Sequence, residues 1–165
     1  MEVTDYNGEG LWSRSGILAR YARYATTLRI VSRDLSPMEH TEGVRRWVYP
    51  VMQKVIEGIA GGDHACIQIG IEFIEEDTRF PFGKTLKSNT ARALRRATLS
   101  KEQKLRIRRR VFGLLRAGHV PREFREYARL VRKVGFDANE VPNVDESNPY
   151  AVRFRAYFLA AIRAR

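Results

Sequence analysis

The chain has 165 residues, with 30 Lys/Arg against 19 Asp/Glu, a formal net charge of +11, one cysteine and three histidines. A chain of this length hides roughly two thirds of its unfolded surface in one domain and needs no disulfide scaffold, and a single cysteine excludes an internal bridge. No apolar run approaches the ~18 residues of a membrane span, and the polar start MEVTDYNGEG lacks the positive beginning and apolar stretch of a signal peptide, so no membrane partner and a cytoplasmic location are expected.

Residues 1–12 read as a flexible N-terminal tail and 13–165 as a single helical domain. No segment convinces as a strand; apolar residues recur instead at three- and four-residue intervals, which marks amphipathic helices. The first helix is expected from Ser13 to Val31, with Ile17, Tyr21, Tyr24, Leu28 and Val31 on one face. A second is expected to open at Ser36-Pro37-Met38-Glu39, which reads as a capping box with proline at the first helical position. Pro50 should kink or split it, because proline lacks the amide proton and crowds the preceding turn. Gly61-Gly62 should end it.

Asp63 can cap a third helix over His64 to Asp77. Its apolar residues, from Cys66 through Ile74, cover well over half the circumference, which predicts a central, nearly surrounded helix and a buried thiol. Glu72, Glu75 and Glu76 fill the remaining arc. A loop at RFPFG leads to helices at about 85–97, 101–117 and 121–134. The second of these opens on a capping box at Ser100 to Gln103; the third ends at Gly135. A long connection over 136–148 precedes a terminal helix, capped by Asn148-Pro149 and reaching Arg165. On that helix Tyr150, Phe154, Tyr157, Phe158 and Ile162 form one apolar side and Val152 and Leu159 the other. Such a helix is either sandwiched within the fold or available to a second copy, so homo-oligomerisation through it is one expectation. The fold class is all-α: about seven helices in an irregular bundle, or in a short HEAT- or armadillo-like stack of helical hairpins.

Placement of charge says more than its total. Residues 84–133 hold 17 Lys/Arg against 3 Asp/Glu, whereas residues 1–83 hold 9 against 12. Arginine outnumbers lysine 24 to 6, a skew that GC-rich coding can also produce. On the helix at 101–117, Leu105, Ile107, Val111, Phe112, Leu114 and Leu115 project to one half, and Arg106, Arg109, Arg110 and Arg116 to the other. Arg108 projects into the apolar half, where an unpaired charge is costly, so it is expected to meet Glu72, Glu75 or Glu76. The next helix turns Phe124, Tyr127, Ala128, Leu130, Val131 and Val134 inward and sets Arg122, Arg125, Arg129 and Arg132 in a stripe, with Glu126 as the acidic companion on that side. On the preceding helix, Arg92, Arg95 and Arg96 oppose Leu86, Ala93, Leu94 and Ala97.

Three successive helices thus each carry a basic outer face. It is either a solvated surface or a contact surface for an acidic protein or a nucleic acid. The candidate contacts are Arg92, Arg96, Arg106, Arg109, Arg122, Arg125, Arg129 and Arg132. The short turn at Gly118 also admits a helix-turn-helix, in which Arg122, Arg125 and Arg129 would face a groove.

Other chemistry is thinly supported. Phe82-Gly83-Lys84-Thr85 lacks the earlier glycine of a phosphate-binding loop, having Thr78 in its place, and follows an expected helix rather than a strand. His40, His64 and His119 form no zinc motif, no Gly-x-Ser-x-Gly elbow occurs, and no cofactor is expected. The acids Glu72, Glu75, Glu76 and Asp77 share a helical face and are the residues from which an enzyme would have to be built.

The stretch from Ile71 to Val134 contains a Glu-Phe-Ile-Glu-x-Asp-x-x-Phe turn, a basic Leu-x-Arg helix and the segment Arg-Glu-Phe-Arg-x-Tyr-x-Arg-Leu. It resembles a family of uncharacterised helical bacterial proteins. The resemblance implies a helical, HEAT-like arrangement and brings no activity with it; RFPFGKT departs from the serine-glycine loop of that pattern. The expected function is a non-enzymatic binding or scaffold module with a basic outer face. A nucleic-acid-binding protein using the same arginines is the first alternative, and an enzyme using Glu72, Glu75 and Glu76 the second.

Overall fold

The computed structural model describes residues 1–76 and 80–164. The protein is predominantly α-helical, with one small sheet, and divides into two compact units, Met1–Ala97 and Thr98–Arg165.

The N-terminal unit contains β1 (Glu2–Asp5), α1 (Arg14–Leu28), β2 (Glu39–Glu42), β3 (Arg45–Val48), α2 (Val51–Ala60), α3 (His64–Glu75) and α4 (Gly83–Arg96). The strands form a sheet in the order β1-β3-β2, β1 running parallel and β2 antiparallel to β3. The strands stand where no strand was expected, while the expectation of a predominantly helical, all-α fold of about seven helices holds. Where a helix was expected from Ser36, Glu42 instead pairs with Arg45 across a two-residue turn at Gly43-Val44. Gly43 takes a φ of 59°, the left-handed conformation that tight hairpin turns demand and glycine supplies without strain. The segment RRWV then favours a strand through its tryptophan and β-branched valine, and Pro50 caps α2 rather than kinking a longer helix. Glu2–Asp5, placed by composition in a flexible tail, pairs with Arg45–Val48, and Trp12 is buried.

Helix α1 is shorter than its apolar pattern suggests. Ser13 caps it by accepting from the Gly16 amide at 3.1 Å, and Arg29 ends it in a left-handed conformation. Ile17, Tyr21 and Ala25 are buried; of the residues expected on the same face, Leu28 is exposed at the last position of the helix and Val31 is exposed beyond its end. Helix α3 is the centre of this unit, packed against α1, α2 and α4, with eight of its residues buried. Asp63 caps it through the Cys66 amide at 2.9 Å. Gly58 lets α2 approach: a β-carbon there would stand 2.3 Å from the Cys66 sulfur. Burial pushes the Cys66 thiol well above its ordinary range, so it stays protonated and inert, a packing group of the core.

Tyr21 ties α1 to the start of α3. Its hydroxyl donates to Asp63 at 2.7 Å and accepts from the Arg33 amide at 2.9 Å. Burial raises its pKa to about 12; the Arg33 amide opposes this and the Asp63 carboxylate adds to it. Because the unfolded tyrosine loses its proton first, near its ordinary value of about 10, stability is complete below that pH and falls as pH rises toward 12. Urea midpoints measured across this interval should fall for the native chain, and Tyr21→Phe should remove that part of the slope.

The C-terminal unit consists of α5 (Lys101–Arg116), α6 (Phe124–Val134) and α7 (Pro149–Arg163), with a short 3-10 turn at Ala138–Glu140 in the connection before α7. The capping box at Ser100 and Gln103 is formed in both directions, at 3.1 and 2.9 Å. Gly135 ends α6, and Asn148 caps α7 through the Ala151 amide at 3.2 Å. The core is aromatic: Phe112, Phe136 and Phe158 meet edge to face in a closed triangle, with centroids 5.1 to 5.6 Å apart. Phe124 meets Phe154 at 4.7 Å, joining α6 to α7.

Arg108 points inward, as its helical position requires, but its partner is not an acid of α3. Its Nε donates to Glu140 at 2.8 Å, and its Nη1 lies 3.4 Å from the Gly135 carbonyl. The connection supplies the carboxylate because it folds back along α5, as the packing of Phe136 on Phe112 also shows.

Candidate anion-binding site

The C-terminal unit holds 16 Lys/Arg against 7 Asp/Glu, hence +9 of the chain's +11. On α6 the intervals from Arg125 through Arg129 to Arg132 are four and three residues, which stack their side chains along one strip, whereas Arg122, expected on the same helix, lies in the turn before it because α6 begins only at Phe124. Arg122, Arg125 and Arg132 are exposed and Arg129 half-buried, while Phe124, Tyr127, Ala128, Leu130 and Val131 are buried behind them.

Glu126 is not the outer companion that a helical projection suggests. It is 6% exposed, turned into the unit, and meets Arg129 Nη1 at 3.1 Å. This ion pair fixes one guanidinium at the border of core and surface. Among the described residues neither Arg125 nor Arg153 pairs with a carboxylate.

Helix α7 supplies the opposite wall. A groove of about 210 Å³ is lined by Arg125, Ala128 and Arg129 of α6 and by Arg153, Phe154 and Tyr157 of α7. The small Ala128 leaves room at the floor, and the Phe154 ring is held against Phe124. Arg132 lies with its guanidinium carbon 5.8 Å from the centre of the Tyr157 ring. The result is an apolar, aromatic floor rimmed by three guanidinium groups. Glu126 offsets Arg129, and the repulsion between the remaining like charges, Arg125 and Arg153, is one that a bound anion would lower.

Of the sequence-predicted contacts, Arg125 and Arg129 are brought together in this groove, with Arg132 beside it at Tyr157, while Arg122 is exposed in the turn before α6 and does not line the groove. Arg106 and Arg109 lie on α5, half-buried and exposed respectively. Arg92 and Arg96 are exposed on α4 of the N-terminal unit and do not line the groove; Arg92 donates to Asn89 at 3.1 Å. Sequence reasoning missed Arg153. It lies outside the basic stretch at 84–133, and its role depends on α7 lying beside α6. Tyr157 and Phe154 were legible only as part of an apolar helix face; in the structure Ala151, Phe158 and Ala161 are the buried side of α7, and these two rings are half-buried at its margin.

The acidic cluster of α3 has a different role. Glu72 accepts from Arg20 Nη1 at 2.9 Å, from Gln68 at 3.1 Å and from the Tyr24 hydroxyl. Arg20 is 6% exposed and stacks on Trp12, its guanidinium carbon 4.1 Å from the ring centre. The Trp12 indole donates to Glu76 at 3.2 Å, and Glu75 is engaged as well. Asp77 lies outside the described residues. Both oxygens of Glu72 are therefore committed to neighbours that hold α1 and the segment before it against α3.

Among the described residues no group of three or more His, Cys, Asp or Glu is placed to hold a metal ion. His40 stacks on Trp47 at 5.4 Å, and His64 is the first residue of α3. Gly83-Lys84-Thr85 opens α4 directly, and the element before it is the helix α3; Thr78 lies outside the described residues. No helix among the described residues is long and apolar enough to cross a membrane. Comparison of the chain with protein-family models, curated proteins and solved structures finds no match.

Proposed function

We propose that this protein is a non-catalytic helical binding module whose C-terminal unit docks a polyanionic partner. The observation that carries this reading is the convergence of Arg125, Arg129 and Arg153 from two helices on one groove, with Arg125 and Arg153 free of carboxylate partners among the described residues. A merely solvated arginine stripe would need only one helix. Here the second helix adds a cation that the basic stretch of the sequence does not contain. The commitment of Glu72 to Arg20, Tyr24 and Gln68 supports a binding role over acid–base catalysis at α3.

Binding to heparin and to mixed-sequence DNA and RNA, measured at several salt concentrations, tests the proposal. Affinity should fall steeply as salt rises. The double variant Arg125→Ala/Arg153→Ala, which keeps the Arg129–Glu126 pair, should bind more weakly and, on nucleic acid, show a salt slope smaller by about 0.7 to 0.9 for each phosphate that is no longer neutralised. No binding of any polyanion at low salt, or an unchanged affinity in the folded double variant, would remove this reading.

A further inference from the structure

Resting on that reading, we infer that the partner is a single-stranded nucleic acid, and that the groove between α6 and α7 takes one unstacked base while the arginines at its rim hold the flanking phosphates. Charge alone does not distinguish polyanions. The floor does: it is built from Phe154, Tyr157 and Ala128 and presents almost no polar group of its own.

An occupant matching both parts must offer a flat apolar face within a few ångströms of negative charge on either side. A nucleotide in a single strand has that form, with a π-faced ring and a phosphate on each flank. In a duplex the same ring faces are buried in the stack, and only the backbone could meet the arginines. An acidic peptide offers carboxylates on aliphatic stems and gives Tyr157 nothing to stack upon.

Size agrees. At about 210 Å³ the groove is smaller than the roughly 300–1,000 Å³ of sites that enclose a whole drug-sized ligand, and suits a single ring with its charged appendages outside. Arg132 beside the Tyr157 ring adds a planar cation that can itself cover a base. Of the floor residues Ala128, Phe154 and Tyr157 only the tyrosine carries a polar group, a single hydroxyl, so stacking rather than edge readout governs recognition and any base is tolerated.

The test uses the full chain and a single-stranded oligonucleotide beside its duplex, with Tyr157→Leu, which keeps apolar bulk for folding, and Tyr157→Phe, which keeps the ring. The native chain should bind the single strand more tightly than the duplex at equal salt. Tyr157→Leu should weaken single-strand binding about tenfold, the loss of one base–aromatic stack, and leave duplex binding unchanged. Tyr157→Phe should restore the single-strand affinity.

If Tyr157→Leu left both affinities intact while Arg125→Ala/Arg153→Ala lowered both, the base-binding inference would be overturned and the electrostatic reading would survive. If polyglutamate competed as well as the single strand at equal charge, the partner would be an acidic protein. Absence of binding to every polyanion would overturn both.

Discussion

Replacing Glu72 with alanine should destabilise the protein by about 3–5 kcal/mol, the cost of leaving a buried charge without its partner. Arg20 is the charge concerned. It is 6% exposed, its Nη1 is 2.9 Å from Glu72, and its other neighbours, the Leu11 carbonyl and the Trp12 ring, neutralise nothing. The same substitution removes the acceptor of the Tyr24 hydroxyl and of Gln68. Paired apolar replacement behaves differently, because it removes both desolvation costs together. Arg20→Met/Glu72→Leu should therefore recover most of the loss. Urea denaturation of the two variants checks this directly. A Glu72→Ala midpoint equal to that of the native chain would show that the carboxylate is not structural, and would reopen α3 as a site for acid–base chemistry.

The second large effect lies in the aromatic core of the C-terminal unit. Phe158→Ala should cost about 3–5 kcal/mol, since it empties a fully buried ring position. The ring is one corner of the triangle with Phe112 and Phe136, so its removal also abolishes two edge-to-face interactions. The consequence reaches function through geometry: α7 carries Arg153, Phe154 and Tyr157, and Phe158 is the residue that seats α7 against α5. Phe158→Leu should cost less by retaining volume, and should keep more of the polyanion affinity. Denaturation midpoints and binding measured on the same preparations separate the two effects. A Phe158→Ala variant with native stability would contradict the assignment of this triangle as the core.

The helical pieces after residue 63 were legible because their signals are local. Asp63, Ser100, Gly135 and Asn148 are caps and stops whose chemistry acts within a few residues, and the apolar spacing of α3, α5 and α6 states which side faces inward. The hairpin at Glu39–Val48 was obscured by a competing local signal. Ser36-Pro37-Met38-Glu39 has the composition of a helix start, yet the strand register and Gly43 decide the outcome through pairing with β3. For β1 the partner is some forty residues away, and four exposed or half-buried residues carry no periodicity from which to infer it.

The same division holds for the site. Residue order alone settles that α6 turns apolar residues inward and an arginine strip outward, because a helix of period 3.6 sorts its residues without reference to anything else. It also determined that Arg108 needs a carboxylate. Packing chose which one: Glu140 meets Arg108, Glu126 turns inward to Arg129, and Glu72 is taken by Arg20. It alone set Arg153 and Tyr157 beside Arg125, since the meeting of two helices depends on how ring volumes such as Phe124 against Phe154 fit together, and that fit is a property of packing rather than of any one segment's pattern.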